Sequence, residues 1–287
     1  MKNPNRREFI KTISAFGLAT FIPVNLFAEA FHQECDVCKA AWNNLSKLNE
    51  TRYQFRYIEP NPGLPKVFIY GDSISIGYTE YVRASLKGKA DVIRLHVNGG
   101  SSHDLISKME TFRKSLFQPD LKGGWDFSWD VIHFNVGLHD LKYVLKGQLD
   151  KVNGKLVSSL EVYEKNLRDN IKYLKTTYPK AKLIFATTTV VPDGEAGRFK
   201  DDELKYNKVA LKVLKEYPEI TVNNLHDFSI PIIKKYQDKP GSVHYLAEGY
   251  RLIGIEVAKQ IASVLNVQPV DCPSATEIKG KFKEYEK

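Results

Sequence analysis

The sequence predicts an α/β fold, a three-layer α/β/α sandwich around a central five-stranded parallel sheet. Three observations lead there. Five short, continuously apolar runs alternate with longer stretches of helical periodicity between residues 66 and 267. Strands separated by helices of that length pair in parallel through right-handed crossovers, and strands apolar on both faces belong in a sheet covered on both sides. Each run also breaks into a polar, glycine-containing or hydroxyl-rich loop, which is where an open parallel sheet carries its chemistry.

The first strand is "KVFIY" (Lys66–Tyr70), followed by "GDSIS". "TEYVRASLKG" is helical and stops at Gly88. "DVIRLHV" is the second strand, and "NGGSSHD" follows it. "HDLISKMETFRKSL" puts Leu105, Met109, Phe112 and Leu116 on one helical face. "WDVIHFNV" is the third strand and leads into "GLHDLK". Residues 142–157, with Gly147 and Gly154, read as a loop or hairpin. "SLEVYEKNLRDNIKYLKTTYP" is a long amphipathic helix, and "AKLIFATTT" is the fourth strand, running into "VVPDG". "DDELKYNKVALKVLKEYP" is a helix with an acidic first turn, which suits its dipole. "EITVNNL" is the fifth strand, and "PGSVHY" leads to the closing helix "LAEGYRLIGIEVAKQIASVL".

The chain has 287 residues, 43% of them hydrophobic, with 42 basic and 34 acidic side chains and a net charge of +8. This suits one domain, 66–267, with an extension at 31–65 and a highly charged tail at 268–287 that is expected to fray. The lysines are scattered, as on solvated helix faces, so no nucleic-acid partner is expected. Residues 1–30 read as a signal peptide: Arg6-Arg7 precede a short apolar core, and Ala28-Glu29-Ala30 gives a small-x-small cleavage site. The arginine pair resembles a twin-arginine signal; an ordinary secretory signal is the alternative. Either predicts a periplasmic or secreted protein. No other run approaches the ~20 apolar residues of a membrane span. Cys35 and Cys38 form C-x-x-C, and Cys272 is the third cysteine. Outside the cytosol a disulfide is the default, either Cys35–Cys38 or one of the two with Cys272, leaving one thiol over. A redox role for the C-x-x-C is a further alternative.

"VFIYGDSISIGY", the glycine turn after the second strand, "GLHD" after the third and "VHYLAEGYRLIG" before the last helix together resemble the SGNH (GDSL) hydrolases, from about Val67 to Leu265. The G-x-S-x-G elbow of α/β-hydrolases is absent. The resemblance implies a flavodoxin-like sandwich, the SGNH hydrolase fold. It implies Ser73 as nucleophile and His244 as its base, and an oxyanion held by the N–H of Ser73, the N–H of Gly100 and the side chain at position 139. It implies no metal or other cofactor.

Two departures stand out. The family's G-x-N-D reads "GLHD", so His139 occupies the asparagine slot; a neutral imidazole still offers one N–H. The family's aspartate, three residues before the base, is replaced by Gly241. Either Asp238 folds back to His244, or Ser73 and His244 form a dyad oriented by a backbone carbonyl. Ser73 also suits a helix N-cap. Asp72, Asn98 and Asp140 are candidate substrate-binding residues; Asp72 also suits a role shaping the Ser73 turn, and Asp140 one shaping its own loop with His139. Lys142 and Arg198 are candidates to hold an acidic group on the substrate. Trp125, Trp129 and Tyr143 either stack on a sugar or fill the core. Thr187–Thr189 finish a strand. A metal would have to use His103, His139, Asp140 and His244, but no compact ligand spacing is present. The expected function is an exported serine ester hydrolase that removes O-acyl (acetyl) groups from a carbohydrate. The alternatives are a lipid or short-chain acyl esterase and a non-hydrolytic carbohydrate-binding accessory protein. The partner is then a small-molecule or polysaccharide ester, with the oligomeric state left open.

Overall fold

The computed structural model describes residues 37–47, 51–121 and 124–283. The expected signal peptide and Cys35 lie outside the described residues. A helix over 37–45 (α1) precedes the sheet. Then follow β1 (Lys66–Tyr70), α2 (Ser73–Ser85), β2 (Asp91–Arg94), α3 (Leu105–Leu116) and β3 (Val131–Phe134). Three short strands come next, β4 (Tyr143–Leu145), β5 (Gln148–Leu149) and β6 (Lys155–Leu156). The rest is α4 (Leu160–Thr177), β7 (Lys182–Ala186), α5 (Asp202–Leu214), β8 (Thr221–Asn223), α6 (Leu225–Tyr236), α7 (Ala247–Leu265) and α8 (Ala275–Lys281).

The main sheet has the order β2-β1-β3-β7-β8, and every pair in it is parallel. This is the expected five-stranded sheet between helical layers. Sequential strands run outward one way from β1 to β2 and the other way from β1 to β3. The crevice where the direction reverses, at the strands' carboxyl ends, is where such folds bind ligands. β1 and β3 are buried almost throughout, Val67 to Tyr70 and Val131 to Phe134 alike. That is why these strands are apolar on both faces.

Several elements differ from the expected ones. α2 begins at Ser73, not Thr79, because Asp72 caps it: its Oδ1 accepts from the N–H of Ile74 at 2.9 Å. α6 was hidden by Pro231 in its middle; the Asn224 side chain caps it by accepting from the N–H of Asp227. The tail does not fray at once. Ser274 and Glu277 form a reciprocal capping box for α8, and Ala275 and Ile278 pack on Tyr81. Residues 142–157 form a small antiparallel sheet in the order β5-β4-β6. It is tied to the 194–198 loop by Tyr143 N–H to Gly197 C=O (2.7 Å) and Lys151 N–H to Ala196 C=O (3.0 Å).

Trp125 and Trp129 fill the core, with Trp42, Phe112 and Phe127 around them. The sugar-stacking alternative therefore does not hold for either tryptophan. Trp42 arrives from the extension and donates its Nε1–H to the Phe55 carbonyl at 2.7 Å. Cys272 carries a free thiol 3.8 Å from the Tyr81 carbonyl, so it is in no disulfide. Among the described residues no helix is long and apolar enough to cross a membrane.

Candidate active site

Ser73 is the first residue of α2, just past β1 and beside the crevice between β1 and β3. Its own N–H belongs to the helix's first turn, which has no intrahelical acceptor. Asp72 anchors the turn beneath it, and the Ser75 hydroxyl donates to the Asp72 carbonyl at 2.7 Å. Asp72 is 2% exposed. Its position is that of a residue holding the turn, the other role its sequence context suits.

His244 reaches the same point from the loop before α7. Its Nε2 lies 2.8 Å from the Ser73 Oγ, across 171 residues of sequence. A glycine face holds the two together. A Cβ on Gly77 of α2 would fall 2.1 Å from the Tyr250 ring of α7, and one on Gly254 of α7 would fall 2.6 Å from the Tyr81 Cβ of α2. Only bare backbone lets the two helices approach this closely, and they carry Ser73 at the start of one and His244 just before the other.

Behind His244, the Ser242 Oγ lies 3.4 Å from Nδ1 and also accepts from the His244 N–H at 3.1 Å. Gln237 steadies the loop by donating to the Ser242 carbonyl at 2.7 Å. Asp238 meets His244 only through its backbone N–H, which donates to the His244 carbonyl at 3.1 Å. So a hydroxyl faces Nδ1, not the Asp238 carboxylate and not a backbone carbonyl. Nothing in the sequence spacing marked Ser242.

His139 projects into the cleft, and Lys142 Nζ lies 3.1 Å from its Nδ1. Burial, then Lys142, Arg198 and Lys108, push the His139 pKa down to about 3, so the imidazole is neutral. Asp140 turns the other way and is fully buried. It accepts from Ser102 N–H (2.9 Å), Ser102 Oγ (2.6 Å) and Ser158 Oγ (2.7 Å). It pins the loops after β2 and β3 to the start of α4. Burial raises its pKa against the pull of those hydrogen bonds.

The Gly100 N–H donates to Asn98 Oδ1 at 2.9 Å, and the Gly99 N–H donates to the Gly71 carbonyl at 2.9 Å. The expected Gly100 donor is thus engaged within its own loop, and Asn98 and Ser101 of that loop line the cleft. Arg198 is buried, paired with Glu195 at 2.7 Å, and donates to the Leu138 carbonyl at 2.8 Å; this locks the 194–198 loop against the His139 loop. Thr187 and Thr188 bond Asn224 and Asn207, away from the cleft. Tyr143 stacks edge-on to Phe199.

The cleft holds about 860 Å³. Ser73, His139 and His244 sit together in it; Val144, Leu149 and Val157 of the small sheet form an outer wall. Among the described residues no group of three or more His, Cys, Asp or Glu is arranged to hold a metal.

A parallel five-stranded sandwich with a serine–histidine contact at its switch point is the SGNH hydrolase fold, and solved structures of ester hydrolases share it. A lipase/acylhydrolase from Enterococcus faecalis matches with a TM-score of 0.52 and 17% identity, over 72% of this chain and 100% of that one. An acetylxylan esterase from Geobacillus stearothermophilus matches with a TM-score of 0.52 and 16% identity, over 74% and 98%. At this identity the likeness is one of fold. No family model matches the chain, and no curated protein matches it.

Proposed function

We propose that the chain is a serine ester hydrolase, exported by its N-terminal leader, that removes O-acyl groups, acetyl foremost, from a carbohydrate. The observation that carries the reaction is the 2.8 Å contact of Ser73 Oγ with His244 Nε2 inside the cleft. Ser73 attacks the acyl carbonyl as His244 takes its proton. The tetrahedral oxyanion is held by the Ser73 N–H and by His139, with the Asn98 side chain in reach of the same cleft. Collapse expels the alcohol, which takes the proton back from His244. Water then attacks the acyl-serine, with His244 again as base, and releases the acid. Ser242 orients the imidazole. The carbohydrate assignment draws on the leader and on an acetylxylan esterase among the proteins that share the fold.

A fluorophosphonate probe applied to fractionated cells tests both parts. The expected result is a labelled species beginning near Phe31 in the exported fraction, lost in Ser73→Ala. Turnover of p-nitrophenyl acetate should fall at least about 100-fold in that variant. Wild-type turnover by Ser73→Ala would refute the mechanism, and label confined to the cytosol would refute export. One observation favours a second reading, a carbohydrate-binding accessory protein: among the described residues no carboxylate is bonded to His244. Glycan binding without any labelling of Ser73 would select it.

A further inference from the structure

The asparagine of the G-x-N-D pattern offers its oxyanion a fixed N–H. An imidazole in that slot does not, because its single hydrogen sits on either nitrogen. The wrong tautomer would turn a lone pair toward developing negative charge and repel it.

We propose that Lys142 is a positioning residue that removes this ambiguity, fixing His139 as an Nε2–H donor facing the cleft. The inference rests on the ester-hydrolase reading. An ammonium carries three hydrogens and no lone pair. With Nζ 3.1 Å from Nδ1, Nδ1 has to accept, and the ring hydrogen resides on Nε2. The lysine is itself held in place. Its carbonyl accepts from the Val157 N–H at 3.0 Å, and two residues before it Asp140 is locked by three donors. The charges around His139 act in the same sense: Lys142, Arg198 and Lys108 all disfavour protonation, against Asp104 alone. The imidazole therefore mimics a neutral amide donor and does not become a cation. The logic parallels the carboxylate behind a metal-bound histidine, which also sets a tautomer from the far nitrogen. Here a donor does it from the opposite side and selects the opposite lone pair.

Long-range ¹H–¹⁵N spectra of the histidine side chains test this directly, with the His139 signals assigned by their absence in His139→Asn. The wild type should show a neutral Nε2–H tautomer between about pH 5 and pH 8. Lys142→Met, which keeps the stem and removes the donors, should show mixed tautomers. Its kcat should fall about 10- to 100-fold, with KM changed less than about twofold. In the His139→Asn background, where the amide needs no tautomer set, the same Lys142→Met change should alter kcat less than about twofold. A wild-type imidazole with its hydrogen on Nδ1, or a charged one at neutral pH, would overturn the proposal. So would equal losses in both backgrounds, or a rise in KM in both, either of which would make Lys142 a direct substrate contact. Should Ser73→Ala retain turnover, the hydrolase reading fails on its own, and the tautomer measurement still decides the role of Lys142.

Discussion

Position 241 explains why His244 lacks an aspartate behind it. Gly241 has φ +75°, and a Cβ there would lie 2.6 Å from the Gly194 carbonyl. A side chain at that position would be strained and would collide with the 194–198 loop that closes the cleft. The chain has room for a partner one residue later, and Ser242 takes it. The orienting group supports the imidazolium that forms in the transition state, and a neutral hydroxyl at 3.4 Å does this weakly. Ser242→Asp should therefore raise kcat on p-nitrophenyl acetate, by about tenfold, and Ser242→Ala should lower it. An aspartate variant slower than the alanine one would show that Nδ1 does not depend on this position. Ser73, His139 and His244 were legible in the sequence because each lies in a short run with fixed spacing at a strand end. Ser242 was not, because its approach to Nδ1 follows from a left-handed turn at Gly241 that no spacing records. The internal bonds of Asp140 were not legible either: its place beside His139 in sequence hides the opposite directions of adjacent side chains.

At the level of elements, the contact between α2 and α7 determines whether Ser73 and His244 meet. Gly77 and Gly254 look like weak points in helices, where glycine costs about 1 kcal/mol relative to alanine. Here their missing side chains let Tyr250 and Tyr81 seat against the opposite backbone. Gly77→Ala should cost about 1–3 kcal/mol by overpacking. Below its melting point it should lose more activity than its folded fraction accounts for, because the Ser73–His244 distance widens. Thermal melts paired with kcat on the same samples test this, and a variant that loses stability but no turnover per folded molecule would refute it. Gly280→Ala is the contrast, since nothing lies near its added Cβ. The five main strands and most of the helices along the chain were legible from their apolar patterns, though not the order of the strands in the sheet. α6 was not, because Pro231 breaks the usual helical signature, and neither was the true start of α2, because the capping signal of Asp72 lies inside the run that also carries Ser73.

For the whole molecule, buried neutral histidines give folding an acid dependence. Burial pushes the pKa of His133 and His96 down to about 4 from an ordinary 6.5, and that of His139 to about 3. Unfolded imidazoles take up protons as pH falls below 6.5, while these three resist, so the unfolded state binds more protons. Their stabilisation is complete above 6.5 and is lost as pH drops toward 4. His226 acts the other way. Its bond to Glu203, then that to Asp227, raises its pKa, so its contribution is present below 6.5 and lost as pH rises through the raised value. The buried carboxyls Asp72 and Asp140, with raised pKa values of their own, moderate the slope. With three histidines against one, the melting temperature should fall between pH 6.5 and about 4, less steeply in His133→Gln. A flat or rising profile on acidification would contradict this.

The 171-residue gap bridged by a 2.8 Å contact also sets a schedule. During synthesis Ser73 appears early, and His244 appears only when about five-sixths of the chain has been made. Until the closing helix docks against α2, the nascent protein holds a hydroxyl with no partner to activate it. Completion of the chain is itself the event that brings the two side chains together.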